Sequence, residues 1–120
     1  MMGKLVFDND VSEIQEVDYA SINFVDQVSC KEIIRYNEGA GKKVVLLDCG
    51  AKANIIRCLI QRGVEVIRVP WDYDYTNLDF DGLFLSNGPG DPNLCLAAVE
   101  VLRKQMNESN KPICGICMGN

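Results

Sequence analysis

Gly115-Ile116-Cys117-Met118-Gly119 has the form G-x-C-x-G and follows an apolar run, Pro112-Ile113-Cys114. Small residues on both sides let a chain turn sharply from a strand into a helix, which lifts the middle side chain out of the packing. The pattern predicts an exposed Cys117 thiol at a helix start, where free backbone N–H groups and the helix dipole enlarge the thiolate fraction. A second segment, Asn87-Gly88-Pro89-Gly90-Asp91-Pro92, also follows an apolar run. Gly88 has no side chain, so its N–H can approach a bound carbonyl; with the N–H of Met118 it makes a two-donor oxyanion hole. Each motif has a bland alternative, a packing cysteine at a strand end and a turn before a capped helix. Their occurrence on successive strands favours nucleophilic attack on a carbonyl.

The chain contains no histidine, so no step that needs an imidazole draws it from these residues. Cys49, Cys58, Cys95 and Cys114 sit inside apolar runs, where a free cysteine behaves as a small hydrophobe, and Cys114 is expected to be buried in its strand. A zinc site needs about four N or S ligands, which one close cysteine pair does not supply, so no metal is expected. Cys114-Gly115-Ile116-Cys117 is also a C-x-x-C, which in an α/β protein can be a redox dithiol. That motif belongs at the start of an early helix and leaves Gly88 to Pro92 without a role.

The elements that position these residues follow from the hydrophobic pattern. The 120 residues, 48% hydrophobic with a formal charge of −5, amount to one compact domain at most. Twelve Lys plus Arg against 17 Asp plus Glu argue against a nucleic-acid or anionic-membrane partner. With no run of about 18 apolar residues and no signal-peptide pattern at the N-terminus, the chain reads as intracellular. The sequence changes character near Gly39-Ala40-Gly41, the expected boundary. Upstream, residues 4–7 read as a short strand, 21–28 as a short helix and 32–36 as a strand. Downstream, 43–48 is an apolar run of a strand covered on both faces. A helix through Ile55, Ile56, Leu59 and Ile60 stops at Gly63, and 64–69 is the next strand, closed by Pro70. Residues 71–81 form a polar and aromatic loop, and 82–86 a third strand. Asp91 as N-cap and Pro92 at the first helical position open a second helix, with Val99, Leu102 and Met106 at helical spacing. Residues 112–116 are the last strand.

This alternation builds an open, mostly parallel α/β sheet with helices on both faces. Ligands of such sheets bind beyond the carboxyl ends of the strands, where Asp48-Cys49-Gly50, Asn87 to Pro92 and Cys117-Met118-Gly119 converge. Lys52, Asn54 and Arg57 at that edge read as solvated or capping residues. Trp71, Tyr73 and Tyr75 fit a partner surface or packing over the sheet equally well.

Ser86-Asn87-Gly88-Pro89-Gly90-Asp91-Pro92, followed after one helix by Cys114-Gly115-Ile116-Cys117-Met118-Gly119, resembles the class I glutamine amidotransferases. Asp48-Cys49-Gly50-Ala51-Lys52-Ala53-Asn54-Ile55 is similar to the segment opening that domain in glutamine-dependent carbamoyl-phosphate synthases. Residues 3–8 and the stretch around Asn23 to Ser29 resemble the end of the small-chain N-terminal domain and its connection. The resemblance implies the following organisation: residues 1–41 as that end and linker, 42–120 as the N-terminal half of a flavodoxin-like amidotransferase domain.

It further implies a Cys-His-Glu triad that releases ammonia from L-glutamine and passes it through a tunnel to a synthetase (large) subunit or domain. Cys117 matches the nucleophile, Gly88 and Met118 the oxyanion donors, and Gly88, Gly90 and Met118 the substrate contacts. No cofactor is implied for this domain; ATP and Mg serve the synthetase part. The His and Glu of the triad lie beyond the positions matched here, so the 120 residues alone are expected to be inactive, the alternative reading being a non-catalytic binding or interaction fragment. Many members have Leu and His where Met118 and Asn120 stand, a difference that brings this chain closer to the animal-type synthetases. Some of those lost the nucleophile and use free ammonia, whereas retention of Cys117 implies a glutamine-using parent in pyrimidine, arginine or urea synthesis, cytoplasmic or mitochondrial.

Overall fold

The computed structural model describes residues 17–120, so the strand expected at residues 4–7 lies outside the described residues. The elements are α1 (Phe24–Val28), β1 (Ile34–Tyr36), β2 (Lys42–Asp48), α2 (Ala53–Gln61), β3 (Val64–Pro70), β4 (Gly82–Leu85), α3 (Leu96–Glu108) and β5 (Ile113–Gly115). Their sheet has the order β1-β3-β2-β4-β5. All neighbours are parallel except β1, which runs antiparallel to β3 at one edge. The open, mostly parallel sheet expected from the alternation is therefore the one found.

Strand β2 is central because its residues are apolar on both sides of the pleat. Val45 and Leu47 join Ile67, Val69, Leu83 and Leu85 in one layer, with Val25 of α1 and Ala98 of α3. Leu46 and Val66 point the other way, against Ile56, with Ile55, Leu59 and Ile60 of α2 packed around them. Helices thus cover both faces. Each such side chain taken fully out of water contributes roughly 1.5–3 kcal/mol. Among the described residues no helix is long and apolar enough to cross a membrane.

Several expectations are corrected. The helix expected over residues 21–28 is split into a 3₁₀ turn at Tyr19–Ser21 and α1, because Asn23 caps a fresh start by accepting the Asp26 N–H at 3.2 Å. Asp91 and Pro92 open a 3₁₀ turn, Pro92–Leu94, and not the α-helix: the Asp91 carboxylate binds the Asn93 N–H two residues on, and α3 starts at Leu96. The packed face of α3 is Ala98, Val101, Leu102 and Gln105, while Val99 and Met106 are exposed. That later start changes which residues of the helix meet the sheet. Cys114 is exposed, because β5 is the sheet's edge strand and carries little cover. In the loop after β3, Tyr75 is fully buried and meets Phe80 edge-on at 6.1 Å. Trp71 and Tyr73 pack against the same core. Packing, one of the two readings of these aromatics, accounts for Tyr75.

At the carboxyl end of β2 lies a fully buried carboxylate, Asp48. Its Oδ2 accepts the Cys30 N–H at 2.8 Å and Arg68 Nε at 2.8 Å; its Oδ1 accepts the N–H groups of Gly50 at 2.9 Å and Ala51 at 2.7 Å. Arg68 Nη2 completes the pair at 2.6 Å. Burial works against the charge, but the N–H groups of Ala51, Cys30 and Gly50 together with Arg68 outweigh it and hold the carboxyl below its ordinary value.

Replacing Asp48 should therefore be costly and pH-dependent. Asp48→Asn is expected to remove about 3 kcal/mol, the typical loss when one partner of a buried pair is taken away, read as a lower urea midpoint at pH 7. Because the folded-state pKa is depressed, the contribution is complete above the unfolded value of about 3.9 and is lost as pH falls through the folded value. The stability curves of the two proteins should converge in acid; curves that stay parallel would show that the charge is not the source.

Candidate active site

Strand β5 ends at Gly115, and the next residue is tied to the neighbouring strand by the Ile116 N–H, which donates to the Leu85 carbonyl at 3.1 Å. The chain then turns. Cys117 has φ +58, a left-handed conformation shared among the described non-glycine residues only with Asn37. It opens a 3₁₀ turn, Cys117–Gly119, closed by the Gly119 N–H on the Ile116 carbonyl at 3.1 Å and the Asn120 N–H on the Cys117 carbonyl at 3.0 Å. In these 120 residues the helix expected after Cys117 is this single turn.

Sterics explain the two flanking glycines. A Cβ on Gly115 would lie 1.8 Å from the Gly119 carbonyl oxygen, and one on Gly119 would lie 2.5 Å from the Leu85 Cβ. At Gly115 the obstacle is the backbone of the turn itself and at Gly119 the backbone of β4, 2.6 Å away at the Leu85 carbonyl oxygen, so a side chain at either end would displace main chain. A strained non-glycine backbone of this kind costs about 1–3 kcal/mol and persists where its surroundings over-determine it. The result is an exposed Cys117 side chain, as the G-x-C-x-G pattern predicts.

The loop after β4 lies against this turn. A Cβ on Gly88 would sit 2.3 Å from the Cys49 carbonyl oxygen and 2.9 Å from Met118 Sδ. Gly88 does not have a positive φ; the close approach of two loops is what requires it to be glycine. The structure thus brings Gly88, Met118 and the turn after β2 together, with Cys117 adjacent to Met118 in the chain. Gly90, with φ +84, faces Phe24 on its side-chain side, where a Cβ would be 3.3 Å from the ring. Beneath the elbow, Leu47, Cys49, Leu85, Cys95, Leu102 and Met118 line an apolar cavity of about 70 Å³.

The other thiols are placed for packing or surface exposure. Burial pushes Cys49 up to about 12, and burial with the nearby Asp48 charge pushes Cys30 to about 11, so both stay protonated at neutral pH. Cys95 is buried and likewise raised by burial. The dithiol reading of Cys114 and Cys117 meets a geometric obstacle. Residues 113–116 are extended, so three strand steps of about 3.3 Å hold the two Cα atoms roughly 10 Å apart, whereas a disulfide needs less than about 7 Å. Among the described residues no group of three or more His, Cys, Asp or Glu is placed to hold a metal ion.

The motif reading missed the roles of three residues in the site region. Ser86 and Asn87 stand inside the motif itself, and their fully and partly buried side chains knit the loops together. Arg68 carries no local signal, since its partner Asp48 is 20 residues away. Lys52, Asn54 and Arg57 are exposed at the start of α2.

Comparison with known proteins bears on this arrangement. The profile of the family described as glutamine amidotransferase class-I matches residues 45–120. Similar proteins include the multifunctional protein pyr1-3 of Dictyostelium discoideum, 45% identical over the whole chain but only 6% of its own length. The multifunctional protein CAD of Squalus acanthias is 42% identical, with 5% of its length covered. The mitochondrial carbamoyl-phosphate synthase [ammonia] of Homo sapiens is 39% identical, with 8% covered. The chain therefore spans less than a tenth of these relatives. The crystal structure of a protein from Thermoplasma acidophilum, assigned to a GMP synthase, superposes with a TM-score of 0.56 at 34% identity, over 65% of this chain and 41% of that one. With the family profile covering more than half of its residues and the elbow built as described, the chain belongs to the class I glutamine amidotransferases.

Proposed function

We propose that the chain is the nucleophile-bearing half of a glutamine-hydrolysing domain that supplies ammonia for carbamoyl phosphate synthesis. The observation that carries this reading is Cys117 itself, exposed and left-handed between two glycines that no other residue can replace. Family membership and the carbamoyl-phosphate synthase and multifunctional relatives support the parent activity. Residues 1–41 are then the end of a preceding domain and its linker, and 42–120 the N-terminal half of the amidotransferase domain.

In this mechanism the Cys117 thiolate attacks the side-chain amide carbon of L-glutamine, forming a C–S bond while the carbonyl electrons move onto oxygen. The N–H groups of Gly88 and Met118 donate to that oxyanion, and the backbone at Gly90 holds the substrate. Collapse breaks the C–N bond, and the nitrogen leaves as ammonia with a proton from a general acid. Water then cleaves the thioester to glutamate, the same group acting as base. These 120 residues contain no histidine to fill that role, so a complementary segment must provide it. The ammonia passes to a synthetase subunit or domain, where bicarbonate and ATP with Mg complete the reaction. The compartment is cytoplasmic or mitochondrial; the name of the Homo sapiens relative supports the second.

Three outcomes are expected. The 120-residue chain alone should release no ammonia from glutamine above a Cys117→Ser control, because a missing acid–base group costs roughly 10²–10⁴-fold per step; measurable release would contradict the mechanism. In the full-length synthetase, a glutamine analogue with an electrophile at the amide position should label Cys117 alone, as peptide mapping would show, and glutamine should protect it. Cys117→Ser should abolish synthesis from glutamine and spare synthesis from ammonia. Labelling that spreads to Cys114 or ignores glutamine would remove the support for this function.

A further inference from the structure

Ser86 is fully buried at the end of β4, and its hydroxyl joins two loops. Ser86 Oγ accepts the Cys49 N–H at 2.9 Å and donates to the Asn87 carbonyl oxygen at 2.8 Å. That carbonyl belongs to the same peptide unit as the N–H of Gly88. No cis peptide bond occurs among the described residues, and in a planar trans peptide the C=O and N–H point in opposite directions. Fixing the Asn87 oxygen therefore fixes the direction of the Gly88 N–H.

The rest of the loop is secured independently. Asn87 Nδ2 donates to the Gly50 carbonyl at 3.1 Å, and Asn87 Oδ1 accepts the Lys52 N–H at 3.3 Å. Gly88 itself rests on the Cys49 carbonyl. The Asn87 bonds are made by its side chain and not by the peptide group that follows it; the Ser86 hydroxyl is the group that holds the carbonyl of that peptide. A hydrogen bond accepted by the carbonyl also polarises the peptide and strengthens its N–H as a donor.

We infer that Ser86 is a positioning residue for glutamine hydrolysis, aiming the Gly88 N–H at the oxyanion through the Asn87–Gly88 peptide. This rests on the function proposed above. It predicts a defect concentrated in the transition state of the glutamine reaction, where the oxygen carries the most charge and the Gly88 N–H matters most, and none in the synthetase chemistry.

The test uses the full-length synthetase with either glutamine or ammonium as nitrogen source. Ser86→Ala should lower the glutamine-dependent kcat about 10–100-fold, the range for a misaimed oxyanion donor. KM for glutamine should stay within about threefold, as expected when an interaction made only in the transition state is lost. Ammonia-dependent synthesis should remain near wild type, which also reports folding. Ser86→Thr, which restores the hydroxyl, should recover most of the kcat. Should Ser86→Ala not fold, Ser86→Cys, close in size and a weak hydrogen-bonder, should show the same nitrogen-source split in milder form. Equal losses from both nitrogen sources, a rise in KM without loss of kcat, or an unchanged kcat would overturn the inference. A Cys117→Ser enzyme still using glutamine would overturn the function and Ser86's role together; glutamine use lost in Cys117→Ser but retained in Ser86→Ala would overturn the role of Ser86 alone.

Discussion

A carboxylate shut away from water is tolerable only when its lone pairs all find donors, and Asp48 meets that condition by drawing on three separate stretches of chain. Cys30 comes from the segment before the sheet, Gly50 and Ala51 from the turn after β2, and Arg68 from the adjacent strand. The turn after β2 is therefore set by a charge and not by apolar packing. Its shape decides where the Cys49 carbonyl lies. Gly88 rests on that carbonyl, and Met118 rests on Gly88. The order of dependence runs from a buried ion pair, through two loops, to the residue following Cys117.

Strain at the elbow is balanced within the same small region. A left-handed cysteine costs about 1–3 kcal/mol. Against it stand three backbone hydrogen bonds, at Ile116, Gly119 and Asn120, each contributing about 0.5–1.5 kcal/mol net. The two sums are comparable. Contacts with Leu85 and between Gly115 and Gly119 then remove the relaxed alternatives. Glycine on both sides serves a steric purpose, letting β4 and the returning turn approach closely enough for those bonds to form.

The sheet is legible because β2 and β4 carry apolar runs and β3 is apolar apart from Glu65 and Arg68, which local pattern reads well. The elbow was legible because its requirement for small residues is written at fixed offsets from Cys117. Elsewhere the sequence was silent for identifiable reasons. The exposure of Cys114 depends on β5 lying at an edge, which is a property of strand order and not of the run Ile113-Cys114. The packed face of α3 depends on where the helix begins, and Asp91 spends its carboxylate on a 3₁₀ turn before Leu96. Arg68 looked like an ordinary strand residue because its partner is distant in sequence. Ser86 and Asn87 were visible only as motif letters; their bonds to Cys49, Gly50 and Lys52 needed coordinates.

The elbow is held by Leu85, 32 residues before Cys117, and by β5, the outermost strand of the described sheet on that side. Nothing within Gly115 to Gly119 alone forces φ positive at Cys117. Before β4 and β5 pair, the segment is free to relax, and its cysteine has the surroundings of any cysteine in an unfolded chain. The turn at Cys117 is thus latent in the polypeptide and acquires its geometry only with the tertiary structure. An unfolded chain presents six ordinary thiols, and folding gives one of them, Cys117, a left-handed backbone.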